Sequence, residues 1–400
     1  MKIVFVNNCY PSGSTGKIVK VLNEQYRRLG HETVVIYGQG SKSGGNFHKV
    51  ASWPYIKLQA LRCRITGVMY GGCILSTGQA IRIIKKEKPD VVHLHCLNSN
   101  FINIYRLVSW LKKHKVKTVV TNHAEFLYTG NCGYALDCTK YQTGCGSCPR
   151  LRKETKSWFR DGTHSAWVKM KRAFENFDTS IVVNVSPWTQ SRSSESIILG
   201  QLENITVLNG VDTSVFSYKG RAASGGEKII FHATSNFSDD PNDIKGGRYL
   251  IELAKRMEGQ NVKILVAGKH EGSLRVPSNM VLLGHVADQA QLARLYSDAD
   301  LVVLTSKKET YSMITAESLC CGTPVVGFEA GGPERIALPE YSKFVAQGDV
   351  DALYAASMRM LASNVSKEEI SKAARKQYSN ERMADDYLKV YEQCIQKSGS

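Results

Sequence analysis

The 400-residue chain lacks any run of eighteen uninterrupted apolar residues, so no segment reads as a transmembrane span. It also lacks a cationic N-terminal stretch leading into a long apolar run and a cleavage site. The opening Met1-Lys-Ile-Val-Phe-Val-Asn-Asn reads instead as a first strand, and secretion is not expected. No compact signature of DNA or RNA recognition is present, and no short sequence repeat relates the two halves. The first half is short of acid. Residues 1–212 hold 13 Asp or Glu against 29 Lys or Arg, whereas residues 213–400 hold 23 of each, so the first half carries the whole net charge of +16. Such an imbalance suits nucleic acid, an anionic membrane surface or a phosphorylated substrate, with plain solubility as the alternative.

What is there is an ordinary globular composition. Four hundred residues exceed the usual size of one core, so two domains are expected. Residues 2–7 predict a strand, Pro11-Ser-Gly-Ser-Thr-Gly16 a turn and residues 17–29 a helix. Further strands are expected at 34–37, 90–95, 117–121, 179–186 and 205–212, with helices near 77–87 and 101–114. Residues 38–50 read as a mobile loop rich in Gly, Ser and Lys, and residues 53–70 mix apolar and basic side chains without a clear period. The first domain is placed at 1–212, with a linker at 213–228. The second domain, 213–380, has strands at 228–233, 262–267, 281–283, 300–304 and 324–328. Its helices are expected near 247–257, 288–297, 312–321 and 351–362, and a last helix within 381–400 is expected to pack back on the first domain. The alternation predicts parallel sheets with helices on both faces.

The most informative stretch is Glu309-Thr-Tyr-Ser-Met-Ile-Thr-Ala-Glu317. Two glutamates eight positions apart follow the apolar Ala299–Leu304 and lead into Cys321-Gly-Thr-Pro-Val-Val326. This reads as strand, tight turn, helix, Gly-Thr-Pro turn, strand. Ligands of open α/β sheets bind at such strand ends. A helix N-terminus opening there favours an anion, because its N–H groups are exposed and its dipole is positive. Carboxylates beside the anion can accept from sugar hydroxyls. The outline is that of a nucleotide-sugar site.

Together with the glycine-bearing loop 13–16, Asn209-Gly-Val-Asp212 followed by Phe216, Lys245-Gly246 and Ala267-Gly268, this motif resembles a known family. It is the large group of retaining glycosyltransferases called glycosyltransferase family 4. The resemblance covers nearly the whole chain. It implies the α/β GT-B fold, two facing Rossmann-like domains with a cleft between them, the first on the acceptor side and the second binding the nucleotide sugar. By resemblance, Glu317 would bond the nucleotide ribose and Glu309 would meet donor-sugar hydroxyls near the reacting carbon. Backbone N–H groups of Tyr311, Ser312 and Met313 would face the diphosphate or the sugar. Lys245 would stabilise the departing diphosphate, so that no metal or other cofactor is required. The donor would be a nucleoside-diphosphate sugar, with uridine favoured over guanosine. The family's arginine after the first strand of the second domain has no counterpart in Ala233-Thr-Ser-Asn-Phe-Ser-Asp-Asp240, where Ser235 or Asn236 would bond instead. Gly13, Ser14, Thr15 and Gly16 would approach from the first domain, the glycines letting backbone N–H groups come close. His123 would reach the donor sugar without acting as general base, because the leaving phosphate oxygen takes the acceptor proton on the same face. His93 and His95 would line the acceptor side or pack in the core. The plain alternatives are solvent-facing charges for Glu309, Glu317 and Lys245, and a capped turn for residues 13–16.

Four of the eleven cysteines fall close together, in the spacing Cys132-x5-Cys138-x6-Cys145-x2-Cys148 within an insertion at 126–150. Four thiolates with one knuckle-spaced pair suit a structural zinc, with reduced thiols and disulfides as alternatives. The insertion also resembles a branch of the family that builds bacterial exopolysaccharides, including colanic-acid-type polymers. Residues 140–172 hold nine Lys or Arg against Glu154 and Asp161, interspersed with Trp158, Phe159, Trp167 and Met170. With Trp53, Tyr55, Leu58, Arg62 and Arg64 they suit a headgroup layer, ordinary packing being the alternative. The expectation is a cytoplasmic hexosyltransferase, peripheral on the inner face of a bacterial membrane. It would act on a glycan or lipid-linked acceptor in surface polysaccharide synthesis. The competing readings are a synthase or phosphorylase with a small sugar or sugar-phosphate acceptor, and a non-catalytic nucleic-acid-binding protein.

Overall fold

The computed structural model describes residues 1–42, 44–220 and 226–397. One position of the expected loop 38–50, five of the expected linker 213–228 and the last three of the segment 381–400 lie outside the described residues. The chain forms two compact units: Met1–Val207 together with the chain from Ala384 onward, and Leu208–Met383.

The first unit is built on seven parallel strands: β1 (Lys2–Cys9), β2 (Glu32–Gln39), β3 (Phe47–Lys49), β4 (Val91–Leu94), β5 (Thr118–Asn122), β6 (Ser180–Asn184) and β7 (Glu203–Thr206). The spatial order is β3-β2-β1-β4-β5-β6-β7. Runs such as Ile3-Val-Phe-Val6 are wholly buried, as expected of strands covered by helices on both faces. The strand order reverses between β1 and β4, where Ile3 pairs with Val91 and Val6 with Leu94. Chains leaving these two strands turn in opposite directions and leave a crevice at their C-terminal ends.

Several local expectations change. The first helix runs Ser14–Arg28, three residues earlier than its sequence pattern suggests, because Gly13 takes φ 78° and turns the chain straight into it. Ser14, Thr15 and Gly16 therefore form its first turn rather than a preceding loop. Within the expected loop 38–50 lies β3, paired with β2. Residues 53–66 form one helix, Trp53–Thr66, begun by Ser52, whose hydroxyl accepts from the Tyr55 N–H, and ended by Gly67 at φ 68°. The final helix, Asn380–Gln396, sends Tyr387 and Tyr391 fully buried against the first sheet. Tyr391 Oη lies 2.6 Å from His93 Nδ1 and Tyr387 Oη 3.0 Å from Thr121 Oγ1.

The second unit has six parallel strands: β8 (Lys228–Asn236), β9 (Val262–Lys269), β10 (Met280–Gly284), β11 (Leu301–Leu304), β12 (Val325–Phe328) and β13 (Ser342–Val345). Their order is β10-β9-β8-β11-β12-β13, so the reversal falls between β8 and β11. Strand β13 and the helix Lys367–Tyr378 were not anticipated. The strand is four residues of mixed exposure at a sheet edge and carries no alternating or continuous apolar signal. Both units are thus Rossmann-like parallel α/β layers. Among the described residues, no helix is long and apolar enough to cross a membrane.

Candidate active site

At the C-terminal edge of β8 and β11, residues distant in sequence come together. Lys245 Nζ donates to Glu309 Oε1 at 2.7 Å, and Ser306 Oγ donates to the same oxygen at 2.9 Å. Both charged side chains are largely shielded, Glu309 at 13 % and Lys245 at 29 % exposure. Lys245 reaches this place because its loop is stitched to the end of β11: Thr305 Oγ1 donates to the Lys245 carbonyl and Lys307 N–H to that of Ile244. Gly246 makes the stitch possible. It has φ 67°, and a Cβ there would come within 2.1 Å of the Thr305 carbonyl oxygen. The helix Gly247–Arg256 starts immediately afterwards.

Glu309 is fixed from the other side as well. Its N–H donates to the Ala330 carbonyl and its own carbonyl accepts from Gly332 N–H, both at 2.9 Å. The Glu334 carboxylate accepts from the N–H groups of Ala330 and Gly331, at 3.0 and 2.7 Å, and holds that loop open toward Glu309. Beneath the pair lies His232 on β8, 2 % exposed, with Nδ1 2.8 Å from the Val303 carbonyl and Nε2 without a partner. Burial, more than the opposing fields of Lys245 and Glu309, drives its pKa down to about 4, so it is neutral at pH 7.

The helix Met313–Cys320 opens at the same edge. Ser312 precedes it with φ 109°, a conformation that costs a non-glycine residue about 1–3 kcal/mol. Its hydroxyl accepts from Thr315 N–H at 3.2 Å, and the other first-turn N–H groups have no carbonyl partner within the helix. Tyr311 is buried, with its hydroxyl donating to the Asn209 carbonyl at 2.9 Å. Glu317 lies one turn along this helix and accepts from the Tyr296 hydroxyl at 3.2 Å. Burial, reinforced by the Glu317 charge, pushes the Tyr296 pKa far up, so its phenol stays a donor. The two glutamates thus have separate anchors. Asn236 ends β8 with an exposed side chain, and its carbonyl accepts from Thr234 Oγ1 at 2.9 Å.

In the first unit, Thr15, Asn7 and Asn8 meet at the end of β1, Asn7 Nδ2 donating to Thr15 Oγ1 at 3.3 Å. Thr15 and Gly16 are buried, Ser14 is exposed, and a Cβ on Gly16 would lie 3.0 Å from the Cys9 carbonyl. His123, half-buried beyond β5, has Nε2 3.1 Å from His95 Nδ1. Burial lowers the His123 pKa to about 4 and holds His93 and His95 far below the usual range. His93 is a core residue, bound at both ring nitrogens by Tyr391 and Thr121. Ser306, His232, Glu334 and Tyr296 were missed from the sequence. A histidine near the end of the unit's first strand was the one available signal.

The cysteine insertion differs from the zinc expectation. Among the described residues no three His, Cys, Asp or Glu side chains are placed to hold a metal, and Cys132, Cys138, Cys145 and Cys148 are free thiols. Cys132 Sγ lies 3.7 Å from Arg150 Nη2, and Cys145 Sγ accepts from Gly130 N–H at 3.1 Å. Burial pushes these two thiols up to about 12 and about 11. A buried carboxylate organises the segment instead. Glu125 accepts from Arg192 Nε at 2.5 Å, Tyr128 Oη at 3.0 Å and Ala135 N–H at 2.7 Å.

Comparison with known proteins shows the family and the fold. Residues 15–215, just over half of the chain, match the family model described as Glycosyltransferase Family 4, and residues 228–363 match that described as Glycosyl transferases group 1. A protein of Escherichia coli K12 described as a colanic acid biosynthesis glycosyl transferase, WcaC, is 24 % identical over 323 residues, 78 % of each chain. The N-acetyl-alpha-D-glucosaminyl L-malate synthase of Bacillus anthracis is 23 % identical over 98 % of this chain and 97 % of its own. The Anabaena protein HepE, solved in complex with UDP, superposes with a TM-score of 0.64 at 12 % identity, covering 98 % of this chain and 100 % of that one.

Proposed function

Since the chain belongs to glycosyltransferase family 4, we propose that this glycosyltransferase moves a hexosyl group, with retention, from a UDP-sugar to a lipid-linked or growing surface glycan. The observation that carries the reading is the Lys245–Glu309–Ser306 group at the β8/β11 reversal, beside two helix N-termini. An ammonium has three donors, so Lys245 can hold Glu309 and meet phosphate oxygens together. N–H groups at residues 311–313 and 247 add fixed positive potential where the leaving diphosphate gains charge. Glu309 supplies negative charge for an oxocarbenium-like carbon, and Glu317 accepts from the ribose diol. The sugar carbon–phosphate oxygen bond breaks, the bond to the acceptor oxygen forms on the same face, and the acceptor proton passes to the leaving phosphate oxygen. The neutral His123 and the first turn at Ser14–Gly16 offer donors to sugar or acceptor oxygens.

WcaC and HepE support a glycan acceptor and a uridine donor respectively. The Bacillus N-acetyl-alpha-D-glucosaminyl L-malate synthase, alike over nearly both full lengths, favours a second reading with a small hydroxy-acid or sugar-phosphate acceptor. Thermal stabilisation across a panel of nucleotide sugars tests the donor; selective stabilisation by one UDP-sugar is expected. Anomeric configuration of the product, read by NMR, tests retention. Transfer only to small soluble acceptors would replace the glycan reading with the second one.

A further inference from the structure

A helix on a globular surface usually shows one apolar stripe. Trp53–Thr66 shows two. Ile56 and Cys63 face the interior at 8 % and 3 % exposure, while Leu58, Leu61 and Ile65 form an outward row at 60 %, 43 % and 47 %. The outward row is extended at both ends. Trp158 N–H donates to the Arg64 carbonyl at 2.8 Å, which sets Trp158 and Phe159, 49 % and 77 % exposed, beside the helix C-terminus. Leu75, 78 % exposed, shares a hollow with Ser52 and Tyr55 at the helix N-terminus. Trp167 and Met170, in contrast, are core residues at 5 % and 1 %, so the basic segment 140–172 contributes only part of this face.

Charge says what covers it. Between Glu32 and Glu87 the sequence has no acidic residue and eight Lys or Arg. Two cations sit on the exposed aromatics: Lys57 Nζ is 4.9 Å from the Trp53 ring and the Arg64 guanidinium 5.7 Å from that of Trp158. Apolar side chains outward, aromatics at the margin and cations around them match the layered polarity of a membrane interface. A protein partner would need an equally apolar face ringed with acid. We propose that this face docks on an anionic lipid surface, with Leu58, Leu61, Ile65 and Phe159 entering the acyl boundary and Lys57, Arg62 and Arg64 meeting headgroup phosphates. The proposal deepens the lipid-linked-acceptor reading and rests on it for its purpose, while its geometry stands alone.

The test is cosedimentation of the full chain, without donor or acceptor, on phosphatidylcholine vesicles with and without phosphatidylglycerol. Binding to the anionic vesicles at low salt is expected, weaker by roughly tenfold or more on neutral vesicles or in high salt. Leu58→Ser, Leu61→Ser and Ile65→Ser together should lower binding by about tenfold or more while leaving thermal melting unchanged. Trp158→Ser with Phe159→Ser, outside the helix, should weaken it independently. No binding to anionic vesicles at low salt, or equal binding by both variants, overturns the proposal. So does a concentration-dependent dimer that the triple variant abolishes, since a second copy would then cover the face. A chain that takes up a nucleotide sugar but ignores vesicles sinks the docking alone. One that binds vesicles but no nucleotide sugar sinks the donor site and leaves the docking intact.

Discussion

The β8/β11 edge of the second unit is ionic, whereas the β1/β4 edge of the first is neutral. Both lie where strand order reverses in a parallel sheet. The second presents Lys245, Glu309 and Glu317, and the first Asn7, Asn8, Thr15, His95 and His123. The net charge runs the other way: residues 1–212 carry all +16 and residues 213–400 sum to zero. Net charge is therefore a property of surfaces, useful for steering and docking. Chemistry on a charged leaving group needs a few charges held in shielded, fixed positions, and a unit with no net charge can supply them.

The strongest way to break this contrast is Glu309→Gln, which keeps the shape and removes the charge. The turnover number is expected to fall by about 10²–10³, with nucleotide binding changed by less than about threefold. Steady-state kinetics with a thermal-shift titration separates the two, and wild-type turnover would remove Glu309 from the reaction. Next comes the scaffold of the ionic edge. Gly246→Ala should cost about 2–4 kcal/mol in denaturant unfolding, because of its φ of 67° and the Thr305 carbonyl 2.1 Å from the new Cβ. Gly30→Ala, at φ 81° with open space around it, should cost only about 1 kcal/mol. Equal losses would mean that the close approach to Thr305 is not what matters.

Glu317→Ala should weaken nucleotide binding by about tenfold, the worth of one hydrogen bond to a charged group, with a smaller effect on turnover. Isothermal titration reads this directly. A separate expectation concerns pH. His123 and His232 are held down to about 4 by burial, against an ordinary 6.5, so the unfolded chain takes up protons first. Stability is then full above pH 6.5 and falls as pH drops from 6.5 toward 4, by on the order of 1–3 kcal/mol per group. Denaturant midpoints across that window check the sign. The neutral edge also predicts no histidine limb near pH 6.5 in turnover; such a limb would show that one of these rings does carry a proton.

Strands were legible where burial on both faces demands continuous Val and Ile, as in β1, β6, β11 and β12. The helix Trp53–Thr66 was not, because an outward face as apolar as the inward one erases the period that announces a helix. The Glu309-to-Glu317 element was visible because turn, helix start and Gly-Thr-Pro turn are consecutive. Its partners Lys245 and Tyr296 lie 64 and 21 residues away and have no local signature. Cysteine spacing suggested zinc because spacing reports proximity along the chain. Whether thiols converge depends on how the insertion folds around Glu125 and Arg192.

By itself, then, the sequence determined two parallel α/β layers, a strand–turn–helix element bearing two glutamates and the seat of the positive charge, since periodicity, turn chemistry and composition are local. Tertiary structure decided which charges meet, which histidines stay neutral and which apolar side chains remain outside. Those outcomes depend on strand order and burial, which bring together residues that no spacing along the chain relates.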